Sequence, residues 1–352
     1  MARIISGATC AALIGLAAWA VTTAEGQGSP SVERDMPPDA RQAVRAGITY
    51  LVRTQNPDGS WLSDGATGMY PVAMTALSGL ALLADGNTAY SGPHADSVRQ
   101  AVEYLVQHAD TETGLIGGQD AGRPMFGHGF GMLFLAQVYG SEGQLALRRR
   151  VGDVLARAVS LTARCQSKQG GWYYTPDATQ DEGAVTITQM QGLRGCADAG
   201  IGVPPQTVEN ALGYIRRSAN PDGGIAYRAG EPGESRPAIT CAALATMYAA
   251  GLYRDELVEK ALRYALQNVP LSGASPQGGT HFYYSHLYLS QVMYFRGGPE
   301  WEDYFRAIRT WLLQAQNDDG SWSGDYVGRT YGTSLALLIL QLPYNDLPTI
   351  QR

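Results

Sequence analysis

Between residues 40 and 345 two kinds of apolar pattern alternate along the chain. In the first kind, apolar residues recur three and four apart with charge between them. Val98, Val102 and Leu105 share one face, for example, while Arg99 and Glu103 point elsewhere. That spacing predicts helices buried along a single stripe. Such segments run at 46–55, 100–109, 157–166, 210–219, 260–269 and 306–316. Their matching apolar positions are Ile48, Val102, Val159, Leu212, Leu262 and Ile308, separated by 54, 57, 53, 50 and 46 residues.

The second kind is apolar or small nearly all round. These segments cover 70–86, 126–140, 184–200, 236–251, 282–298 and 329–342, and five of them end at a glycine (Gly86, Gly140, Gly200, Gly251, Gly297) that suits a left-handed helix cap. Helices of this sort are buried on both sides. Six pairs of one-sided and two-sided helices predict an all-α fold, an (α/α)6 toroid with the amphipathic helices outside and the buried ones inside. An open solenoid is the rival arrangement, but repeats of 46–57 residues with long turns are too long for it. The first and last units also carry the best-formed turns, where an open array needs atypical caps.

Three of those turns share one motif, Q-x3-G-x-W: Gln55, Gly59 and Trp61; Gln166, Gly170 and Trp172; Gln316, Gly320 and Trp322. A fourth, Ala219 to Ile225, keeps the turn around Gly223 and loses its ends. The chemistry is structural. Glycine takes the positive φ that a side chain disfavours, glutamine meets unpaired backbone groups at a helix end, and tryptophan covers the gap between neighbouring pairs.

Composition narrows the function. Charged residues make up 16% of the 352-residue chain and its net charge is −6, so no basic field exists to attract nucleic acid. Residues 1–24 read as an export signal, with Arg3 before an apolar stretch from Ile4 to Val21 that small residues end at Ala20 or Ala24. A flexible linker follows at 25–39, and 346–352 is a C-terminal tail. The expectation is an exported, periplasmic or extracellular protein, with no integral membrane span once the signal is removed. Cleavage leaves Cys165, Cys196 and Cys241, too sparse a set for a disulfide framework.

The Q-x3-G-x-W motif at this spacing resembles the repeat of squalene and oxidosqualene cyclases and of protein prenyltransferase β subunits. The resemblance covers about residues 40–345 and implies a central cavity with active groups near the N-terminal ends of the inner helices. It implies an acid at Asp181 with Glu182 beside it, although Thr179 stands where the cyclase D-x-D-D motif has its first carboxyl. It also implies a zinc possibility. No cysteine has an aspartate two positions before it, as Ile239 precedes Cys241, yet Cys241 and His286 both lie near the starts of inner helices.

Around these, His128 and His286 join the candidate catalytic groups. Phe126, Thr186, Arg236, Thr240, His281, Tyr283, Tyr284 and Tyr331 are candidate ligand contacts, with Thr188 and Arg329 at similar depth. Two functions stay open. One is a module that binds a bulky apolar or isoprenoid-like molecule, or a protein partner, without the family's catalysis and without a cofactor. The other is an isoprenoid-processing cyclase with Asp181 as acid, or a zinc-dependent transferase.

Overall fold

The structure is a computed structural model that describes residues 36–139, 145–230, 233–271, 281–344 and 347. The stretches expected to be export signal, most of the linker and most of the C-terminal tail lie outside the described residues. So does Gly140.

Twelve helices are present among the described residues: α1 (Pro38–Thr54), α2 (Pro71–Ala84), α3 (Ala95–His108), α4 (Pro124–Tyr139), α5 (Leu145–Arg164), α6 (Gly183–Asp198), α7 (Pro205–Arg217), α8 (Pro237–Ala249), α9 (Glu256–Asn268), α10 (Phe282–Arg296), α11 (Gly298–Ala315) and α12 (Arg329–Gln341). Helix α1 therefore begins inside the stretch expected to be linker.

The odd helices are one-sided. In α3, Val98, Ala101, Val102, Tyr104 and Leu105 are buried, whereas Arg99 and Asp96 meet in an exposed ion pair. In α7 the buried stripe is Val208, Ala211 and Ile215, so Leu212 flanks it rather than anchoring it. The even helices are buried nearly all round, as in α2, where every residue from Val72 to Leu82 is buried. Each even helix packs against the next, and α12 packs back on α2 while α1 meets α11. The result is a closed (α/α)6 toroid, with an inner ring of buried helices inside an outer ring of amphipathic ones.

The repeated turn closes the seams between units. Gln55 Nε2 donates to Gly59 O of its own turn and to Ser97 O of α3, both at 3.0 Å. Gln166 repeats this toward Thr207 O at 2.8 Å. Gln316 donates to Ala43 O at 2.9 Å, which joins the last unit to the first. Each tryptophan is fully buried. Its indole donates to the outer helix before it: Trp61 to Leu51 O, Trp172 to Thr162 O and Trp322 to Leu312 O. Its backbone N–H donates to a threonine in the following inner helix, namely Thr75, Thr186 or Thr333, at 3.0 Å. The clasp thus meets both an orphan helix end and the next unit with one short sequence.

Glycine is required in this turn by close approach as well as by conformation. At Gly320 φ is +88°, and a Cβ would lie 2.5 Å from Ala46 O of α1. The equivalent glycines 59, 114, 170 and 223 sit equally close to a carbonyl of the next outer helix.

Candidate ligand cavity

The N-terminal ends of the inner helices, with the loops leading into them, surround a central cavity of about 630 Å³. One to two turns along the helices its surface is apolar, from Met74, Leu77 and Phe130, with Ile239 nearer the start of α8. Nearer the mouth it is aromatic, from Tyr70, Phe126, Tyr174, Tyr227, Tyr326 and Tyr331, with Tyr284 from α10. The charged groups at its lining are Arg123, Arg236, Glu182 and Glu234.

Backbone satisfaction at the helix starts shapes this mouth. Glu182 caps α6, its carboxylate accepting from the N–H groups of Ala184 and Val185. Helix α2 is capped from a distance: Asp120, in the loop before α4, accepts from Val72 N at 2.8 Å and Ala73 N at 3.0 Å. Asp325, in the loop before α12, accepts likewise from Phe282 and Tyr283 of α10.

Because capping is delegated there, the residues at the caps of α2 and α10 need not supply it. Tyr70 and His281 instead occupy the left-handed region, with φ of 41° and 44°, and both line the cavity. Non-glycine residues in that region carry strain that surrounding structure must hold.

Burial pushes Glu182 up to about 7, against the lowering effect of its two N–H bonds and of Arg123 and Arg228. Asp120 is raised to about 7 for the same first reason, and Asp325 to about 6. Tyr174 and Tyr227 bring their hydroxyls together at 2.5 Å. The guanidinium of Arg123 lies 4.7 Å from the Tyr174 ring centroid. Tyr326 Oη and His281 Nδ1 are 3.1 Å apart.

The structure separates the residues singled out from sequence. Glu182, Phe126, Arg236, His281, Tyr284 and Tyr331 meet at the cavity. Asp181 does not: its carboxylate accepts from Ser167 Oγ at 2.6 Å, inside the turn. Thr186 and Thr240 belong to the clasp, accepting from Trp172 N at 3.0 Å and Ile225 N at 2.9 Å. Thr188 donates to Ala184 O along its own helix. Arg329 is held by Asp319 at 3.3 Å and Asp64 at 3.8 Å, away from the cavity lining. Tyr283 is buried against Phe282 and Trp311.

Both histidines stand at the register of the clasp threonines, and His128 takes the threonine's role. His128 is the fifth residue of α4, the register that Thr75 holds in α2. Its Nδ1 accepts from Ile116 N at 3.1 Å, while Nε2 lies 3.0 Å from Thr162 Oγ1. His286 is the fifth residue of α10. Its Nδ1 is 2.8 Å from Tyr304 Oη and its Nε2 3.1 Å from Pro270 O. Burial lowers both rings to about 4, so they are neutral hydrogen-bonding groups wedged between helices. Cys241 is buried, and burial pushes its thiol up. Among the described residues no three His, Cys, Asp or Glu side chains lie close enough to share a metal ion.

Sequence reasoning missed Asp120, Arg123, Tyr174, Tyr227, Glu234 and Asp325. All stand in loops leading into inner helices. Position relative to the repeat was the one signal that could have raised them.

No family model matches the chain. A drimenyl diphosphate synthase from Streptomyces showdoensis is 26% identical over 204 residues, which is 57% of this chain and 35% of that protein. The chain therefore spans about a third of the length of the curated relative it matches. Among solved structures, the type II terpene cyclase MstE from Scytonema superposes with a TM-score of 0.60 at 15% identity, over 86% of this chain and 97% of that one. The fold is a terpenoid-cyclase-like α/α toroid. An α-1,6-mannanase from Salegentibacter superposes as well, with a TM-score of 0.63 at 10% identity over 86% and 98% of the two chains. Such likeness carries architecture and not chemistry. The chemistry rests on what lines this toroid's own cavity.

Proposed function

We propose that this chain binds a bulky, largely apolar, isoprenoid-like molecule in the central cavity and does not start its cyclisation by protonation. The apolar and aromatic lining supports the first part, since burial of apolar surface drives binding of such a ligand. MstE has been solved with geranylgeranyl dihydroxybenzoate as its substrate, a molecule of this general kind.

The observation that carries the second part is how Glu182 is used. Each of its oxygens accepts from a backbone N–H group of α6, and the side chain is fully buried. These bonds favour the charged form and so oppose protonation. An acid at about 7 is in any case a weak donor toward a carbon–carbon double bond. The neighbouring carboxyl that could sharpen it, Asp181, is turned to Ser167.

Geranylgeraniol titrated against the full chain, followed by intrinsic fluorescence, tests this reading. Saturable binding is expected, weakened at least about tenfold by Leu77→Trp, which fills the cavity. Extraction of the mixture should return the alcohol unchanged. Cyclic product that disappears in Glu182→Gln would overturn the non-catalytic part. Failure to bind, or preferential binding of a mannan oligosaccharide, would overturn the whole.

A further inference from the structure

Loops that lead into inner helices also reach back to the start of the preceding inner helix in the ring. At α4 and α6 the group they offer is a backbone carbonyl: Met125 N donates to Tyr174 O at 3.1 Å, and Gly183 N to Tyr227 O at 2.9 Å. At α2, α10 and α12 it is an aspartate. Asp120 accepts from Val72 and Ala73, Asp325 from Phe282 and Tyr283, and Asp64 from Arg329 N at 2.6 Å.

The cap residues of these last three helices all take a positive φ: Gly328 at 115°, Tyr70 at 41° and His281 at 44°. Glu182, which caps α6 with its own side chain, has a φ of −157°. Glycine enters the positive region freely, so α12 holds no strain at its cap. Tyr70 and His281 do hold it, and both bear rings that line the cavity. Strain kept at two caps, where the equivalent cap of the same ring is glycine, points to a use for the side chains. Tyr70 donates its hydroxyl proton to Thr67 O, and His281 pairs through Nδ1 with Tyr326 Oη at 3.1 Å. These bonds fix how the rings are turned, and aromatic surface is what they bring to the lining.

We infer that Tyr70 and His281 are affinity-determining contacts for the hydrocarbon stem of the ligand at the cavity mouth, and that Asp120 and Asp325 are the positioning residues that hold them there. This rests on the binding function proposed above and names the residues that decide it. An ordinary cap residue spends its side chain on its own helix. Taking over the N–H groups of α2 and α10 from the next loop releases the cap position for a residue that faces the ligand. The fold makes room for this arrangement. Asp120 is buried, and at Gly127 of α4 a Cβ would lie 2.1 Å from its Oδ2.

Geranylgeraniol titrated against the full chain by fluorescence, together with urea unfolding of the ligand-free protein, separates a ligand contact from a packing residue. Tyr70→Gly and His281→Gly suit the backbone conformation and remove the rings. Each is expected to weaken binding about tenfold, while the ligand-free urea midpoint stays level or rises. Asp120→Asn keeps one acceptor oxygen at the start of α2. It should weaken binding about threefold in the wild type and leave it unaltered in Tyr70→Gly, where the ring it positions is gone. The same response in both backgrounds, none included, overturns the positioning role. Unchanged affinity in the two glycine variants, or a lower midpoint in them, overturns the inference while the proposed function stands. Failure of the wild type to bind geranylgeraniol overturns the proposed function, and this inference with it.

Discussion

Replacing Gly320 by alanine tests whether the turn glycines serve conformation alone or also the close approach of one unit to the next. Two costs add at this site. An alanine held at φ +88° pays backbone strain of about 1 kcal/mol. Its Cβ would also stand 2.5 Å from Ala46 O, so the turn must withdraw by about 1 Å to reach ordinary contact. That withdrawal pulls on Gln316, which donates to Ala43 O and to Gly320 O, each at 2.9 Å. Such a bond contributes about 1 kcal/mol net. The expected destabilisation is therefore about 2–4 kcal/mol.

Gly86 supplies the control. Its φ is +80°, and a Cβ there would meet nothing within 4 Å. Gly86→Ala should cost only the strain, about 1 kcal/mol. Urea unfolding of wild type and both variants, read by far-UV circular dichroism, measures the difference. If the two variants lose the same stability, close approach is not what holds the seam between the last unit and the first.

Two further outcomes are expected. Glu182, Asp120 and Asp325 are all raised above their ordinary values by burial, to about 7, 7 and 6. A carboxyl whose folded value is raised contributes stability that is fully present below its unfolded value near 4 and lost as pH rises through the folded value. Urea stability should thus fall from pH 4.5 to 8, and Glu182→Gln should flatten the slope by up to ~3 kcal/mol over that range; an unchanged slope would show that Glu182 does not titrate there. His128→Leu should destabilise by about 1–3 kcal/mol more than His128→Asn. Asparagine keeps an acceptor near the Nδ1 position for Ile116 N, and leucine leaves that N–H unpaired. Equal losses in thermal denaturation would mean the ring acts by volume alone.

The boundary between what was legible and what was not follows range along the chain. Asp181 and Glu182 look alike as neighbours before an inner helix. Yet the backbone turns one toward Ser167 and the other to the N–H groups of α6 at the cavity. Adjacent side chains at a helix start diverge, and which one faces inward depends on where the helix lies in the ring. His128 and His286 looked like a polar cluster because both stand near inner-helix starts. That register belongs to the clasp, as Thr75 and Thr333 show by occupying it in α2 and α12. Asp120 was invisible for a different reason: the N–H groups it accepts from, at Val72 and Ala73, are in the preceding inner helix, nearly fifty residues earlier.

The sequence by itself determined six repeats, the division into outer and inner helices, and the clasp that joins them. All three follow from helical periodicity and turn chemistry, which act over a few residues. Tertiary structure alone decided that Tyr174 would meet Tyr227 across 53 residues. It also decided that Asp120 would cap a helix other than its own. Those contacts arise when the ring closes and brings distant helix starts together around one cavity, and nothing in local pattern specifies which side chains then face each other.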